Sequence, residues 1–389
     1  MTFVEKLKVI FLHLNDNPKQ RKKYLKNIYN PLKADITPHQ RVELSLNNNQ
    51  PDRIPFDFWA VPEINKALKD YLNVKNQNEL LDLLSVDCRE VKASYHGPAP
   101  IQKNDGSYID RWGSHRKKVT NRYGGNYYEY ASFPLKNASS VSAVENWDGW
   151  PQKEYWDFSN IINRVKKINS KIEYYIKFEL GGIFETAWGL YGFENFLLDL
   201  KRDPKIPNAI MSCVTDLLIS LAEKLLNKAE EYIDIIYTFD DVGTQNNLLM
   251  SKQMWGKYIL PHHQKLNKVI KNYDVKIMYH SCGAVYPLIK DFINKMNIDI
   301  LNPLQPRAKG MDLQRIKDNY GERISFHGAI DIQKTLPCCT PYEIKREIKK
   351  SCEILGRDGG YICAPAHKIQ VDTPLENIIA MYTTDRKVE

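Results

Sequence analysis

The 389-residue sequence has no apolar run close to the roughly 20 residues that a membrane-spanning helix needs. Its seven cysteines show no regular spacing, so we expect no disulfide framework. No glycine-rich fingerprint follows the first predicted strand, which argues against a dinucleotide-binding fold. The opening residues contain a short apolar stretch without a small-residue cleavage site, so we expect a helix there and a cytoplasmic protein.

The sequence also lacks a strong concentration of charge. Its formal net charge is +8, but the basic residues are spread along the chain, with short clusters at 19–26 and 345–350. Clusters of this length are typical of solvated helix faces rather than of nucleic-acid sites. We therefore expect neither a nucleic-acid partner nor a membrane, and we look for a small-molecule site.

What is present is an alternation of short β-rich runs with amphipathic helical segments such as 193–232. Two early runs, at 53–59 and 86–93, bring the predicted strands to eight. Eight strand–helix units in this length favour a (β/α)8 barrel over an open doubly wound sheet. The later runs cover 173–180, 234–241, 275–282, 298–305, 323–331 and 359–367.

Two segments fall outside this alternation. Residues 1–36 predict a helical N-terminal extension, which leaves residues 37–389 for the barrel domain. Residues around 95–150 are rich in Tyr, Gly, Trp and Asn. This composition predicts an inserted, hairpin-rich lid over the mouth of the barrel.

Candidate metal ligands follow two of the predicted strands, at the edge where barrels of this kind place their active sites. His280 and Cys282 end the fifth strand two residues apart, so both side chains point to one side of an extended segment. Imidazole nitrogen and thiolate suit zinc, which takes about three protein ligands in a catalytic site. The eighth strand offers two candidates for the third ligand, Cys363 and His367.

Acidic side chains at neighbouring strand ends are candidates for acid–base or orienting roles. Glu179 ends the third predicted strand, and Asp240 and Asp241 end the fourth. Each can equally be a loop residue or a helix cap, because the mouth of a barrel is wet. The same two readings apply to the polar residues that the sixth and seventh predicted strands supply, which are Asn302, Gln305, His327 and Asp331.

Long stretches of the chain resemble the uroporphyrinogen decarboxylase superfamily. The resemblance implies a (β/α)8 barrel and one of two activities: decarboxylation of uroporphyrinogen without a cofactor, or zinc-dependent methyl transfer with a corrinoid protein. The decarboxylases grip porphyrin carboxylates through an arginine-rich motif of which only Arg53 is present here, so we expect the second activity. The resembling stretches are 36–59, 239–261, 279–289, 299–312, 326–333 and 359–382.

The resemblance also implies a set of zinc ligands. His280 and Cys282 match the His-x-Cys motif of the methyltransferase branch. That branch carries a third, cysteine ligand in a pattern resembling Ala-Pro-Gly-Cys-Gly, whereas Ala-Pro-Ala-His stands at 364–367 here. The implied ligands are therefore His280, Cys282 and His367, with Cys363 as the rival.

We expect the demethylating direction, from a small methyl ether or similar donor to the cobalt of a corrinoid. No stretch of this sequence resembles a corrinoid-binding domain with its D-x-H-x-x-G loop, so we expect a separate corrinoid protein as partner. Glu179, Asp240 or Asp241 would orient the substrate or protonate the leaving group. The alternatives are a cofactor-free decarboxylase and a non-catalytic barrel that binds a small molecule or partner.

Overall fold

The computed structural model describes residues 18–28, 34–120 and 124–387. Much of the predicted extension 1–36 lies outside these residues, including the helix expected at its start. The described part of the extension contains helix α1 (Pro18–Ile28), and the domain boundary at residue 36 stays a prediction. Among the described residues, no helix combines the length and the apolar character needed to cross a membrane.

A seven-stranded sheet is the centre of the α/β fold and confirms the predicted barrel class. Its strand order is β1-β8-β9-β10-β11-β12-β13, with parallel pairing of β8 with β9, β9 with β10 and β12 with β13. In chain order the strands are β1 (Cys88–Val91), β2 (Ser94–Tyr95), β3 (Ile101–Gln102), β4 (Tyr108–Ile109), β5 (His115–Thr120), β6 (Asn126–Ser132), β7 (Trp156–Asp157), β8 (Tyr175–Gly182), β9 (Ile235–Phe239), β10 (Lys276–His280), β11 (Ile300–Leu304), β12 (Ser325–Ile330) and β13 (Tyr361–Pro365).

The predicted first strand, 53–59, is extended but irregular. Pro55 has no backbone N–H to contribute to a ladder. Its carbonyl still accepts a hydrogen bond from the Cys363 N–H at 2.9 Å, and the Phe56 carbonyl accepts one from the Asp87 N–H at 2.8 Å. The segment is therefore bonded on both sides and takes the place of an eighth strand beside β13.

Helices follow the strands as the alternation in the sequence predicts. Segment 193–232, predicted as helical, forms two helices and a final 3₁₀ turn. After α1 the helices are, in chain order, α2 (Pro38–Leu46), α3 (Pro62–Leu72), α4 (Gln77–Leu83), α5 (Val141–Glu145), α6 (Ile161–Ile168), α7 (Phe184–Tyr191), α8 (Phe193–Arg202), α9 (Lys205–Ala229), α10 (Lys252–Met254), α11 (Leu260–Ile270), α12 (Tyr286–Asn294), α13 (Leu313–Tyr320), α14 (Thr335–Cys338), α15 (Pro341–Leu355) and α16 (Leu375–Tyr382), of which α8 and α9 are the two helices of segment 193–232.

The chain divides into two compact units. The first takes the described residues of Met1–Arg89, Lys167–Tyr175 and Asn302–Glu389, and the second takes those of Glu90–Lys166 and Ile176–Leu301. The first unit contains the irregular segment 53–59. The second unit contains the insertion, helix α7 and the predicted ligand pair.

The first unit buries a cluster of charged side chains just before β1, here named the Asp87 cluster (Arg41, Arg53 and Asp87). Arg53 donates to both Asp87 oxygens at 2.8 and 2.9 Å, and Arg41 Nη1 donates to Oδ1 at 2.9 Å. The Phe56 N–H donates to Oδ2 at 2.8 Å. Burial raises the pKa of Asp87, but Arg53 and Arg41 outweigh it and hold the pKa below its ordinary value.

The insertion at 95–150 forms the predicted hairpins in the second unit. Strands β3 to β6 make an antiparallel sheet in sequential order. This sheet packs on α7, where the rings of Tyr130 and Trp188 meet edge to face at 5.0 Å and Ser114 Oγ donates to the Gly189 carbonyl at 2.7 Å. A Cβ at position 189 would overlap the Tyr130 hydroxyl, so any larger residue there would force that ring to move. A position over the barrel mouth stays a prediction.

Candidate metal centre

The predicted pair His280 and Cys282 lies at the carboxyl end of β10. His280 is the last residue of the strand and is buried. Its Nε2 lies 3.4 Å from Cys282 Sγ. The two-residue spacing therefore brings the imidazole and the thiol side by side.

Two glycines fix the backbone around Cys282. Gly283 has φ +90°, a conformation that side-chain-bearing residues rarely adopt. A Cβ on Gly283 would lie 2.6 Å from backbone atoms of Gly243 and Thr244, and a Cβ on Gly243 would lie 2.6 Å from the Cys282 carbonyl. The loops after β9 and β10 thus touch backbone to backbone.

The Asp241 carboxylate contacts the ligand pair at the Cys282 backbone and at the His280 ring. Its Oδ1 accepts a hydrogen bond from the Cys282 N–H at 2.7 Å and lies 3.4 Å from His280 Nε2. Burial raises the pKa of Cys282 although His280 opposes it, and Asp241 adds to the rise. A metal that binds the thiolate must therefore displace a firmly held proton.

His367 completes a group of three. It follows β13, and one ligand atom each from His280, Cys282 and His367 lies within 4.8 Å of the other two. Its rival Cys363 has a different environment in the first unit: it is fully buried, and a hydrogen bond with its thiol, together with burial, raises the pKa of Cys352 well above the ordinary value. Cys363 therefore packs against a second cysteine.

The chemistry and spacing of the three ligands fit zinc. Two imidazole nitrogens and one thiolate are donors that zinc prefers. In a tetrahedral site such ligands lie roughly 3.3–3.6 Å apart, given zinc bonds of about 2.0–2.3 Å. The His280–Cys282 separation of 3.4 Å already matches. The separations to His367 lie within 4.8 Å.

Asp240, a predicted catalytic residue, is fully buried, and both of its carboxylate oxygens accept hydrogen bonds. Oδ2 accepts from the N–H groups of Ile183 and Phe184 and from His263 Nε2, and Oδ1 accepts from the Glu185 N–H. These N–H groups open helix α7, so Asp240 anchors the start of that helix. A catalytic role for Asp240 stays a prediction, and its contacts describe a positioning role.

Glu185 is a functional candidate that sequence reasoning missed. It lies in the first turn of α7, and its Oε1 accepts the Asp241 N–H at 2.8 Å. Burial, Asp241 and Asp240 raise the pKa of Glu185 to about 7. The available signal is an acidic residue in the first helical turn after β8, whereas the strand pattern points to the acid within the strand, Glu179.

Glu179 is exposed on β8, opposite Tyr237 in the register with β9. Burial raises the pKa of Tyr237 well above its ordinary value, and the carboxylate of Glu179 adds to the rise. The strand is irregular between Glu179 and Gly181. Its exposure leaves Glu179 accessible to a ligand, and its predicted role remains untested.

The predicted polar residues of the later strands lie in the first unit. His327 is fully buried between Asn302, whose amide contacts Nδ1, and Asp57, whose Oδ2 lies 3.0 Å from Nε2. Trp59 Nε1 donates to the same Asp57 oxygen at 2.9 Å. Asp331 accepts hydrogen bonds from three N–H groups that follow it and acts as a local cap.

Comparison with known proteins places the chain in a family. The family model described as Uroporphyrinogen decarboxylase (URO-D) matches residues 139–388. The chain belongs to the URO-D family. None of the curated proteins matches the sequence.

Solved structures extend the URO-D assignment to the fold. A methyltransferase from Methanosarcina mazei shares 17% identity at a TM-score of 0.63, over 89% of this chain and 97% of that one. At this level of identity the structural match shows that the two proteins share a fold and no more. The endo-1,4-beta-xylanase XylE of Penicillium canescens has 10% identity over 61% of this chain and 83% of its own. Its TM-score of 0.35 is too low to indicate a shared fold.

Proposed function

We propose that this URO-D family member is a zinc-dependent methyltransferase. It would move a methyl group from a small methyl ether, or a similar donor, to the cobalt of a corrinoid carried by a separate protein. The observation that carries the proposal is the group of His280, Cys282 and His367. When bound there, zinc would supply Lewis acidity to the heteroatom that carries the methyl group. The fold neighbour described as a methyltransferase agrees with this activity.

The remaining residues of the centre would hold the ligands and the substrate in place. Asp241 orients Cys282 through its N–H and faces the His280 ring. Asp240 fixes the start of α7 and hence the position of Glu185. Glu179, which is exposed, would contact the substrate. Outer partners of this kind set the orientation and basicity of metal ligands.

The decarboxylase alternative is weakened by the position of Arg53. This residue is the one arginine retained from the motif that grips porphyrin carboxylates. Here its guanidinium is buried and donates to both oxygens of Asp87. An arginine that neutralises a buried carboxylate cannot also bind an anionic substrate.

Metal analysis tests the proposed centre directly. We expect about one zinc per chain in the purified protein, lost in Cys282→Ala and in His367→Ala. Cys363→Ala is the matched control and should keep its zinc, because that thiol lies against Cys352. A folded wild-type protein that takes up no zinc, or a Cys282→Ala variant that keeps it, would contradict the proposal.

Methyl transfer to free cob(I)alamin tests the reaction. Candidate methyl ethers are incubated with zinc-loaded protein, and methylcob(III)alamin is followed by its absorbance. We expect formation that depends on the protein and is abolished in Cys282→Ala. Release of carbon dioxide from a carboxylated substrate, equal in both proteins, would instead favour the decarboxylase.

A further inference from the structure

Glu185 lies close to the proposed zinc ligands but does not bind to them in the structure. Its link to the pair runs through Asp241. Oε1 of Glu185 accepts the Asp241 N–H at 2.8 Å, and Oδ1 of Asp241 accepts the Cys282 N–H at 2.7 Å. Within the described residues no donor reaches the other carboxyl oxygen of Glu185, Oε2. One oxygen therefore fixes the group while the other can meet a substrate.

Asp240 determines where Glu185 stands. It accepts the N–H of Glu185 at 2.7 Å and those of the two preceding residues. His263 donates to the same carboxylate at 2.7 Å and holds it in turn. The positive end of α7 is thus already occupied by Asp240, so it does little to stabilise a second anion on Glu185.

The surroundings of Glu185 favour its protonated form. Burial comes first, and the negative charges of Asp241 and Asp240 add to it; together they raise the pKa of Glu185 to about 7. A group with this pKa carries a proton in a large fraction of molecules near neutral pH and can still release it. That is the property of an efficient general acid.

We infer that Glu185 protonates the leaving oxygen during demethylation, so that this enzyme acts on methyl ethers whose leaving groups are strongly basic. The inference rests on the proposed methyl transfer. The bond between the methyl carbon and the ether oxygen breaks, and its electron pair stays on the oxygen. The oxygen takes the carboxyl proton of Glu185, while the methyl carbon bonds to the acceptor, a cob(I)alamin-type nucleophile. The Glu185 carboxylate then regains a proton from water.

A general acid selects among donor classes by chemistry. An alkoxide or a simple phenoxide is a poor leaving group, so protonation in the transition state accelerates its departure. A neutral amine leaving from a quaternary ammonium needs no proton, and a thiolate needs one far less. Alkyl and unactivated aryl methyl ethers are therefore the substrates that would make use of Glu185.

A spectroscopic experiment tests the protonation without any activity. Infrared titration of the metal-free protein should show the carbonyl stretch of a protonated carboxyl group that disappears with a midpoint of about pH 7. Glu185→Gln should lack this titration, and Glu179→Gln, with the same loss of charge, should keep it. The inference is overturned when wild type and Glu185→Gln give the same titration.

Kinetics with a series of donors tests the role in the reaction. Glu185→Gln should slow methyl transfer from an alkyl methyl ether by on the order of 10²–10⁴-fold. From a nitro-substituted anisole, whose phenoxide leaves readily, the loss should be severalfold. Glutamine can still accept the Asp241 N–H, and equal zinc content in both proteins checks the fold. An equal loss for all donors would overturn the general-acid role. No transfer by the wild type would refute the proposed function, leaving the infrared result standing alone.

Discussion

The Asp87 cluster of the first unit and the ligand region of the second unit (Glu185, Asp241, His280 and Cys282) both gather charged or titratable side chains near strand ends, but they use them differently. In the Asp87 cluster each carboxylate oxygen accepts two hydrogen bonds, and Asp87 is fully buried. Every charge in the cluster has a partner. The cluster precedes β1, at the amino end of a barrel strand, where fixed polar contacts contribute to stability.

The ligand region lies after β9 and β10, at the carboxyl ends. Here Asp241 is 41% exposed, and its carboxylate holds Cys282. Glu185 uses one oxygen and keeps the other available. Charged groups that retain unused donors or acceptors, with pKa values moved toward neutrality, are typical of sites that do chemistry. On the proposed function, the fully bonded carboxylate of Asp87 and the remaining oxygen of Glu185 distinguish a structural charge from a functional one.

The largest expected effect is the loss of the Asp87 charge. Asp87→Asn leaves Arg53 buried without its counter-ion, and Arg41 keeps only Asp52, so we expect a loss of about 3–5 kcal/mol in the free energy of unfolding, measured by urea denaturation. Zinc bound per folded chain should not change. Asp358→Asn is the control, since its side chain is 85% exposed and should cost less than about 0.5 kcal/mol. A loss below about 1 kcal/mol for Asp87→Asn would show that the Asp87 cluster contributes little to stability.

Lowering the pH should remove the stabilisation that the Asp87 charge gives to the wild-type protein. The pKa of Asp87 is lower in the fold than its ordinary value. Its stabilisation is therefore complete above the unfolded pKa of about 4 and is lost as the pH falls through the folded value. The gap in melting temperature between wild type and Asp87→Asn should narrow on acidification below about pH 4. A constant gap would show that the charge is not the cause.

A smaller effect is expected at Asp241. Asp241→Asn keeps an oxygen for the Cys282 N–H but removes the negative charge beside His280, so zinc affinity should fall roughly 10–100-fold. Competition with a chromophoric chelator measures this. The free energy of unfolding of the metal-free protein should change by less than about 1 kcal/mol, because Asp241 is partly exposed. A loss of stability as large as that of Asp87→Asn would place Asp241 among the structural charges.

The smallest effect is expected at Glu179. Because it is exposed on β8, Glu179→Gln should leave both zinc content and unfolding free energy unchanged within about 0.5 kcal/mol. A severalfold rise in KM for the methyl donor, with kcat retained, would fit a contact with substrate. Reduced zinc binding in this variant would instead place Glu179 of β8 in the ligand region.

Much of the sheet could be predicted because strand patterning is local. The run 234–241 contains β9 and the run 275–282 contains β10, each within two residues of its structural bounds. The proximity of His280 and Cys282 follows from the two-residue period of extended backbone. The run 53–59 has the same apolar character, but Pro55 prevents a regular strand there. Its pairing depends on partners far away in sequence.

The different roles of Asp240, Asp241 and Glu185 could not be predicted from the sequence. Asp240 and Asp241 are adjacent in an extended segment, so their side chains point to opposite sides. Which side meets α7 and which meets Cys282 depends on the packing of that helix, which the sequence does not specify. Glu185 was missed for the same reason. Its position depends on hydrogen bonds to Asp240 from three consecutive N–H groups.

The backbone contact between Gly243 and Gly283 limits how the centre can be re-engineered. Because the two loops touch backbone to backbone at these glycines, a new ligand at position 282 would have to reach a metal mainly by its own length. Aspartate, whose oxygens extend little further from Cα than a thiol, is the substitution best placed to rebuild a harder, oxygen-donating site. Histidine offers Nδ1 at about the same distance from Cα as the aspartate oxygens but places Nε2 further out. Only ligation through Nδ1 would suit this position, so side-chain length matters here as much as the donor atom.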